Sequence, residues 1–346
     1  MPTKKQKIMP RYVSSLNKSL HFLFDNHESV YLIGEDILDP YGGAFKVSAG
    51  LSSEYPERVI STPISEAAIT GLGIGLAMKG MRPIVEIMFG DFITLCADQI
   101  INGISKFQWI YGSDVLIPLV IRAPMGGGRG YGSTHSQSLE SLFLSVPGLT
   151  IVAPSIYHNP GELLKYSVIG NDNPILFIEN KTDYPKSLID KRNINEFLIF
   201  KTISLVNKDY PTISIGLVED VDPDVTLITY GGMAEIAVNA VMNVFMEEEI
   251  NVEVIIPSLV KPYPLDDILK SVERSKKVVI LEEGNRVSGW GAELSASIYE
   301  AYFDILDKPI KRIGSKNHPI PSSIELEKDC LPQRKDVEQS IKELLN

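Results

Sequence analysis

Residues 59–88 read VISTPISEAAITGLGIGLAMKGMRPIVEIM. Val59, Ile60 and Ser61 make a short β-prone run that stops before Pro63, a residue that fixes φ and marks a turn. Residues 66–79 then carry small and apolar side chains at helical spacing, opened by Glu66, where the positive end of a helix dipole favours an acid. Lys79 and Gly80 close that stretch, and residues 83–88 are again almost continuously apolar. A run without polar alternation is a strand covered on both faces, and two such strands joined through a helix are a βαβ unit. The same alternation extends outward. Residues 30–33, 116–122, 150–153 and 175–179 read as further buried strands, and residues 91–111 and 160–169 as helices. The expected fold class is α/β, a mainly parallel sheet with helices on both faces.

From about Tyr184 to Asp224 the pattern weakens. This stretch is polar, carries Pro185, Pro211 and Pro223, and holds one short hairpin region, so it reads as a connection. A second α/β pattern follows: a strand at 224–230, a turn at Gly231-Gly232, and an amphipathic helix at 234–248 with Ile236, Ala240, Val241, Val244 and Phe245 on one face. Strands at 252–256, 278–281 and 309–313 and a closing helix at 334–345 complete it. The expectation is two domains, residues 1–200 with a connecting segment to about 223, then residues 224–346.

Thirty-three lysines and arginines against 44 acids give a net charge of −11, which argues against a nucleic-acid or anionic-membrane partner. An apolar share of 44% with 22% charged residues places the chain among globular proteins. The two cysteines, Cys96 and Cys330, are too few for a disulfide framework, so a reducing, cytoplasmic compartment is expected. Met1 to Arg11 is basic and polar, without the apolar core of a secretory signal, and residues 67–78 are too short and glycine-rich to span a bilayer.

Three segments carry candidate chemistry. Glu66 follows a strand end and a proline turn; a capping acid is the plainer reading of the same pattern. Gly71, Gly73 and Gly75 lie inside the helix instead of opening it, so they are not a dinucleotide fingerprint. Each costs about 1 kcal/mol against alanine, and three together suggest that another backbone packs close by, as at a subunit interface. The second segment, residues 123–137, follows a strand end and ends in His135, Ser136 and Gln137 after a run of glycines that lets backbone approach a ligand. In the third, residues 86–92, Met88 and Phe92 could line an apolar wall under a flat ring, or simply fill core. No Cys-x-x-Cys, His-Glu-x-x-His, phosphate-loop or Gly-x-Ser-x-Gly pattern occurs.

Tyr31-Leu32-Ile33-Gly34-Glu35-Asp36, Gly43-Ala44-Phe45-Lys46-Val47-Ser48, Thr62-Pro63-Ile64-Ser65-Glu66, Arg82-Pro83, Asp98-Gln99-Ile100-Ile101-Asn102, His135-Ser136-Gln137-Ser138, Pro147-Gly148-Leu149 and Trp290-Gly291-Ala292-Glu293 together resemble one family. It is the β subunit of the thiamine-diphosphate-dependent E1 component of 2-oxo acid dehydrogenases, as in the pyruvate, branched-chain and acetoin complexes. The likeness runs in order from about Tyr31 to the C-terminus.

The resemblance implies a pyrimidine-binding domain followed by a transketolase-like C-terminal domain. It implies that Glu66 binds N1′ of the aminopyrimidine and drives the imino tautomer that generates the nucleophilic ylid. By the same likeness Met88 and Phe92 pack against the pyrimidine, His135 contacts the substrate-derived adduct, and Glu35 lies near the dimer interface and helps link paired sites. A potassium ion maps onto Leu119, Val168, Ile169, Asn171 and Asn173, with Asn171 replacing an acid seen in relatives. The family anchors the diphosphate through Mg²⁺ on a Gly-Asp-Gly motif, which this chain lacks; Gly90-Asp91-Phe92 is the nearest approach. An α subunit is therefore expected to hold the Mg²⁺, in an α2β2 heterotetramer inactive as single chains. A lipoyl acyltransferase is the expected acyl acceptor, docking near Asp307 and the terminal carboxylate of Asn346, with a pyruvate-like 2-oxo acid as substrate. Where relatives often read Asp-Val-Pro-x-Pro-Tyr, this chain has Asn317-His318-Pro319-Ile320-Pro321-Ser322. That departure bears on the substrate and on attachment to an acyltransferase. Two rival readings are a split transketolase-like carboligase without a lipoyl partner, and a non-catalytic scaffold, which the intact Glu66, Phe92 and His135 disfavour.

Overall fold

A computed structural model describes residues 9–112 and 115–346. The first eight residues of the basic N-terminus lie outside the described part. Two sheets carry the architecture. The first contains β1 (Val30–Gly34), β2 (Val59–Ser61), β3 (Arg82–Glu86), β4 (Val120–Met125), β5 (Thr150–Val152) and β6 (Ile175–Asn180), which pair with one another in parallel. Burial of β3, β4 and β6 is nearly complete, as continuous apolar runs require. The second holds β7 (Ile199–Ile203), β8 (Thr212–Gly216), β9 (Val225–Thr229), β10 (Val252–Pro257), β12 (Val278–Asn285) and β13 (Lys311–Ser315).

The connection expected from Tyr184 to Asp224 contains the β7–β8 hairpin, and β8 pairs antiparallel with β10, so the hairpin extends the second sheet. Its edge strand β7 is only half buried and shows no clean alternation, which left little signal in the sequence. The short strand β11 (Leu259–Lys261) was not anticipated. It leaves β10 of the second sheet and pairs antiparallel with β5, becoming the edge of the first. Each sheet is thus completed next to the other, and one buried apolar cluster runs from Leu16 and Val30 to Val225 and Val241.

Residues 91–111 do not form one helix. A tight 3-10 segment, Gly90–Cys96, is followed by a wide π-type turn, Gln99–Ile104, and a short α-helix, Phe107–Tyr111. Side chains account for much of this. Thr94, Cys96 and Ser105 each donate back to a carbonyl three or four residues earlier, at 3.1, 3.2 and 2.7 Å, and so compete with the regular ladder. Both cysteines are free and buried. No helix among the described residues is long and apolar enough to cross a membrane.

Candidate active site

In an open parallel sheet, ligands bind beyond the carboxyl ends of the strands, where helix N-termini converge. Every residue singled out around Glu66 and His135 follows such an end. Glu35 comes directly after β1. Glu66 opens the helix Glu66–Met78 after β2, Met88 and Phe92 follow β3, and His135 stands on the loop after β4.

Glu35 and Glu66 are both buried, 5% and 4% exposed. Burial pushes the Glu35 carboxyl above its ordinary value, the nearby Glu66 charge pushes the same way, and the Ser65 amide opposes them. Among the described residues, Glu35 Oε1 and, one turn into the helix, Thr70 Oγ1 are buried without a hydrogen-bond partner. Cys96 lies close enough to feel Glu66; burial raises its thiol to about 11, leaving it inert. Ser65 makes no side-chain capping bond, and no hydrogen bond to the Glu66 carboxylate is found among the described residues, so capping does not explain this acid.

The segments after β3 and β4 build an aromatic cluster. The His135 ring meets Phe89 and Phe92 edge-on, with ring centres 4.8 and 5.2 Å apart. Phe89 also meets Phe45 at 5.8 Å and Tyr131 at 6.0 Å. Phe92 and His135 are therefore in direct ring contact. Met88 is half-buried on the chain just before Phe89. His135 is held from behind by Lys181, whose Nζ donates to the His135 carbonyl at 2.5 Å and lies 5.3 Å from the Phe89 ring centre. Burial lowers the Lys181 ammonium to about 8, with Asp91 and Glu283 opposing the shift.

The floor is a buried charge network. Arg122 donates to Glu86 at 2.6 Å and, through two nitrogens, to Glu179 at 2.7 and 2.8 Å, while the Tyr184 hydroxyl completes Glu179 at 2.7 Å. Burial raises the Glu86 carboxyl, and Arg122 pulls against it. The network ties β3, β4 and β6 together, and Glu86 Oε1 is so close beneath Gly43 that a Cβ there would sit 2.5 Å from it.

Two expectations look different in three dimensions. The glycine run after β4 does not leave its amides open for a ligand: Gly127 N–H donates to Glu283, and those of Gly128 and Gly130 donate to Glu327. Of the five positions matched to potassium, the carbonyls of Val168 and Asn171 accept from Arg82 Nη1 at 2.8 and 3.0 Å, and that of Leu119 accepts from the Ile175 amide at 2.9 Å. A guanidinium already supplies positive charge there. Asp91, of the near-miss Gly90-Asp91-Phe92, spends Oδ1 on the backbone and side chain of Gln137.

Phe89, Arg122, Glu179, Lys181, Glu283 and Glu327 were not singled out from the sequence. Arg122 and Glu179 did carry a signal, since each is a charge set within an otherwise largely apolar strand.

The helix Glu66–Met78 splits its glycines between two roles. A Cβ on Gly73 would strike Val85 and Leu119 of the sheet, at 2.7 and 3.1 Å, so that glycine serves packing within the chain. Gly71 and Gly75 have nothing within 4 Å. Around them Ile64, Leu72, Met78 and Leu95 are exposed, Ile64 to 78%.

Two α/β domains with an acid and an aromatic wall at the carboxyl edge of the first sheet define a transketolase-type protein. Residues 9–187 match the transketolase pyrimidine-binding domain and residues 216–337 the transketolase C-terminal domain. A solved structure described as a split-gene transketolase, in an inactive β4 tetramer, has a TM-score of 0.71 over 96% of this chain and 97% of that one, at 17% identity, a likeness of fold alone. The pyruvate dehydrogenase E1 component subunit β of Chaetosphaeridium globosum is 39% identical over 91% of this chain and 92% of its own. That of Gracilaria tenuistipitata var. liui is 37% identical over 92% and 94%. The acetoin:2,6-dichlorophenolindophenol oxidoreductase subunit β of Bacillus subtilis is 34% identical over 94% of both chains. The chain belongs to the family of E1 β subunits of 2-oxo acid dehydrogenases.

Proposed function

We propose that this chain is the β half of a thiamine-diphosphate-dependent 2-oxo acid dehydrogenase, working with an α subunit in an α2β2 heterotetramer and passing the acyl group to a lipoyl acyltransferase. What supports the reading is a buried carboxylate at a helix start and an aromatic cluster, both just beyond carboxyl ends of strands of the first sheet, beside a helix with an exposed apolar face. The donor set suits a protonatable aromatic ring: the Glu66 carboxylate for a ring nitrogen, Phe92 and Met88 for the ring face, and the unpartnered Glu35 Oε1 for a shared proton. Thiamine diphosphate, when bound, supplies the nucleophilic carbon that attacks a 2-oxo group.

The chain's own residues have separate tasks in this reading. Glu66 exchanges a proton at the aminopyrimidine nitrogen, in a corner where water is excluded and charge is held apart from solvent. Glu35 shares that proton and restrains the charge on Glu66. His135, half-buried at the mouth, donates or accepts at the substrate-derived carboxyl and oxygen, and Lys181 fixes the backbone on which it stands. Diphosphate and Mg²⁺ fall to the partner, because the sequence has no Gly-Asp-Gly and Asp91 is engaged by Gln137. The exposed face with Gly71 and Gly75 is where another subunit's backbone fits closely. Asp307, expected at the acyltransferase edge, is half-exposed and pairs with Lys277 at 3.1 Å, a weak surface pair that a basic partner could displace.

The test is reconstitution. The chain alone should show no decarboxylation of pyruvate or branched 2-oxo acids with thiamine diphosphate and Mg²⁺, and addition of its cognate α subunit should restore turnover. Robust turnover by the single polypeptide would overturn the split-site reading.

A further inference from the structure

Between β4 and His135 the backbone takes left-handed conformations at alternate residues, with φ of +92° at Gly126, +83° at Gly128 and +69° at Gly130. Successive amides in such a path turn to one side and form a concavity that attracts an anion. Here the anion belongs to the chain itself. Glu327, on the helix Ile324–Cys330 of the second domain, accepts from Gly128 N–H through Oε1 at 3.0 Å and from Gly130 N–H through Oε2 at 2.7 Å. Glu283, on β12 of the same domain, takes Gly127 N–H at 2.5 Å. Glu327 is 1% exposed, and a carboxylate buried so deeply is held only if its charge is met by donors.

The fit leaves no slack. A Cβ on Gly127 would lie 2.6 Å from Leu331, and one on Gly130 would lie 3.1 Å from the Ser322 carbonyl. On the far side Arg129 reaches the Lys181 carbonyl at 2.8 Å while Lys181 grips that of His135. The loop is thus clamped between Lys181 of the first domain and two carboxylates of the second.

We propose that Glu327 is a positioning residue for His135: one carboxylate bridging two amides, two residues apart, sets both the place and the orientation of the loop that presents the site histidine. The inference rests on the proposed role of His135. It gives the second domain a direct part in the chemistry of the first, through the helix Ile324–Cys330.

The experiment uses the assembled complex with its α subunit and compares Glu327→Gln with Glu325→Gln, an exposed acid on the same helix that pairs with Lys328 at 3.2 Å. Hydrogen exchange of the peptide covering residues 126–137, and trypsin cleavage after Arg129, should rise about tenfold or more in Glu327→Gln, as expected when a charge-assisted bond is lost. They should stay at the wild-type level in Glu325→Gln. Turnover should fall about tenfold or more in step with loop opening, while C2–H/D exchange of bound thiamine diphosphate, which needs Glu66 and not His135, stays unchanged. Should Glu327→Gln fail to assemble, Glu327→Asp keeps the charge but is one methylene shorter, and should show the same pattern at smaller size. Loop exchange equal to wild type overturns the clamp. Loss of C2 exchange in proportion to turnover overturns positioning in favour of general disruption. His135→Ala at full turnover brings down the role of the histidine, and the loop measurement then still judges the clamp by itself.

Discussion

Replacing Arg122 by methionine removes the cation from the floor of the site and leaves Glu86 and Glu179 facing each other without it. Both are buried, with side chains 7% and 0% exposed, and neither can reach water. The least costly response at pH 7 is to take up a proton. A glutamate ordinarily titrates near 4.3, so neutralising one carboxyl at pH 7 costs nearly three pH units at about 1.4 kcal/mol each, or about 4 kcal/mol. That agrees with the roughly 3–5 kcal/mol seen when a buried ion pair loses one partner. Spread over a domain of this size, about 2–4 °C per kcal/mol, the unfolding midpoint should drop by roughly 8–16 °C.

The sign with pH follows from the same proton. In the variant the folded state binds a proton that the unfolded state releases above about pH 4.3, so stability rises as pH falls. The gap from wild type should therefore close by about 1.4 kcal/mol per pH unit and be nearly gone by about pH 5. Thermal unfolding followed by calorimetry between pH 5 and 8 reads both effects. A loss below about 1 kcal/mol at pH 7, or a gap that does not change with pH, would refute the claim that these charges are buried and mutually satisfied.

Three further outcomes are expected of the assembled complex. Glu66→Gln keeps the shape but cannot exchange a proton in the same way, so C2–H/D exchange of bound thiamine diphosphate should disappear with assembly intact; exchange at the wild-type rate would contradict its role. His135→Ala should retain that exchange and slow later steps by roughly 10²–10⁴-fold, the range for one acid–base group, as read by single-turnover decarboxylation. Lys181, lowered to about 8 from its ordinary 10.5, should lose its charge on the alkaline side and then hold the His135 carbonyl only as a weaker neutral donor. Its folded value lies below the unfolded one, so the neutral form suits the fold and activity is what falls above pH 8, without a matching loss of stability. Lys181→Arg, which stays charged, should move that limb upward, and an unmoved limb in steady-state pH profiles would sink the assignment.

Much of the site was legible because its clues are local. Glu66 announces itself by standing between a proline turn and a run of helix-spaced small residues, and His135 by ending a glycine loop after a buried strand. Phe92 could be placed near the site but not against His135. The contact depends on the 3-10 segment Gly90–Cys96, whose departure from a regular helix is written in side-chain bonds back to the backbone and not in hydrophobic spacing. The glycines at 71, 73 and 75 looked alike in sequence, yet only the packed sheet separates Gly73, which faces Val85, from Gly71 and Gly75, which face outward.

By itself the sequence determined the α/β class, the two-domain order and the strand ends that carry the acid and the histidine, since periodicity and turn residues act over a few positions and survive without knowledge of partners. Tertiary structure decided what pairs with what. Arg122 meets Glu86 and Glu179, 36 and 57 residues away, only because β3, β4 and β6 are neighbours in the sheet. β11 belongs to the first sheet because its edge faces β5 across the domain boundary, and Glu327 reaches Gly130 from 197 residues away. Burying these charged and hydrogen-bonding groups is favourable only when every partner arrives, and the partners are chosen by strand order and domain packing, which no local pattern of residues specifies.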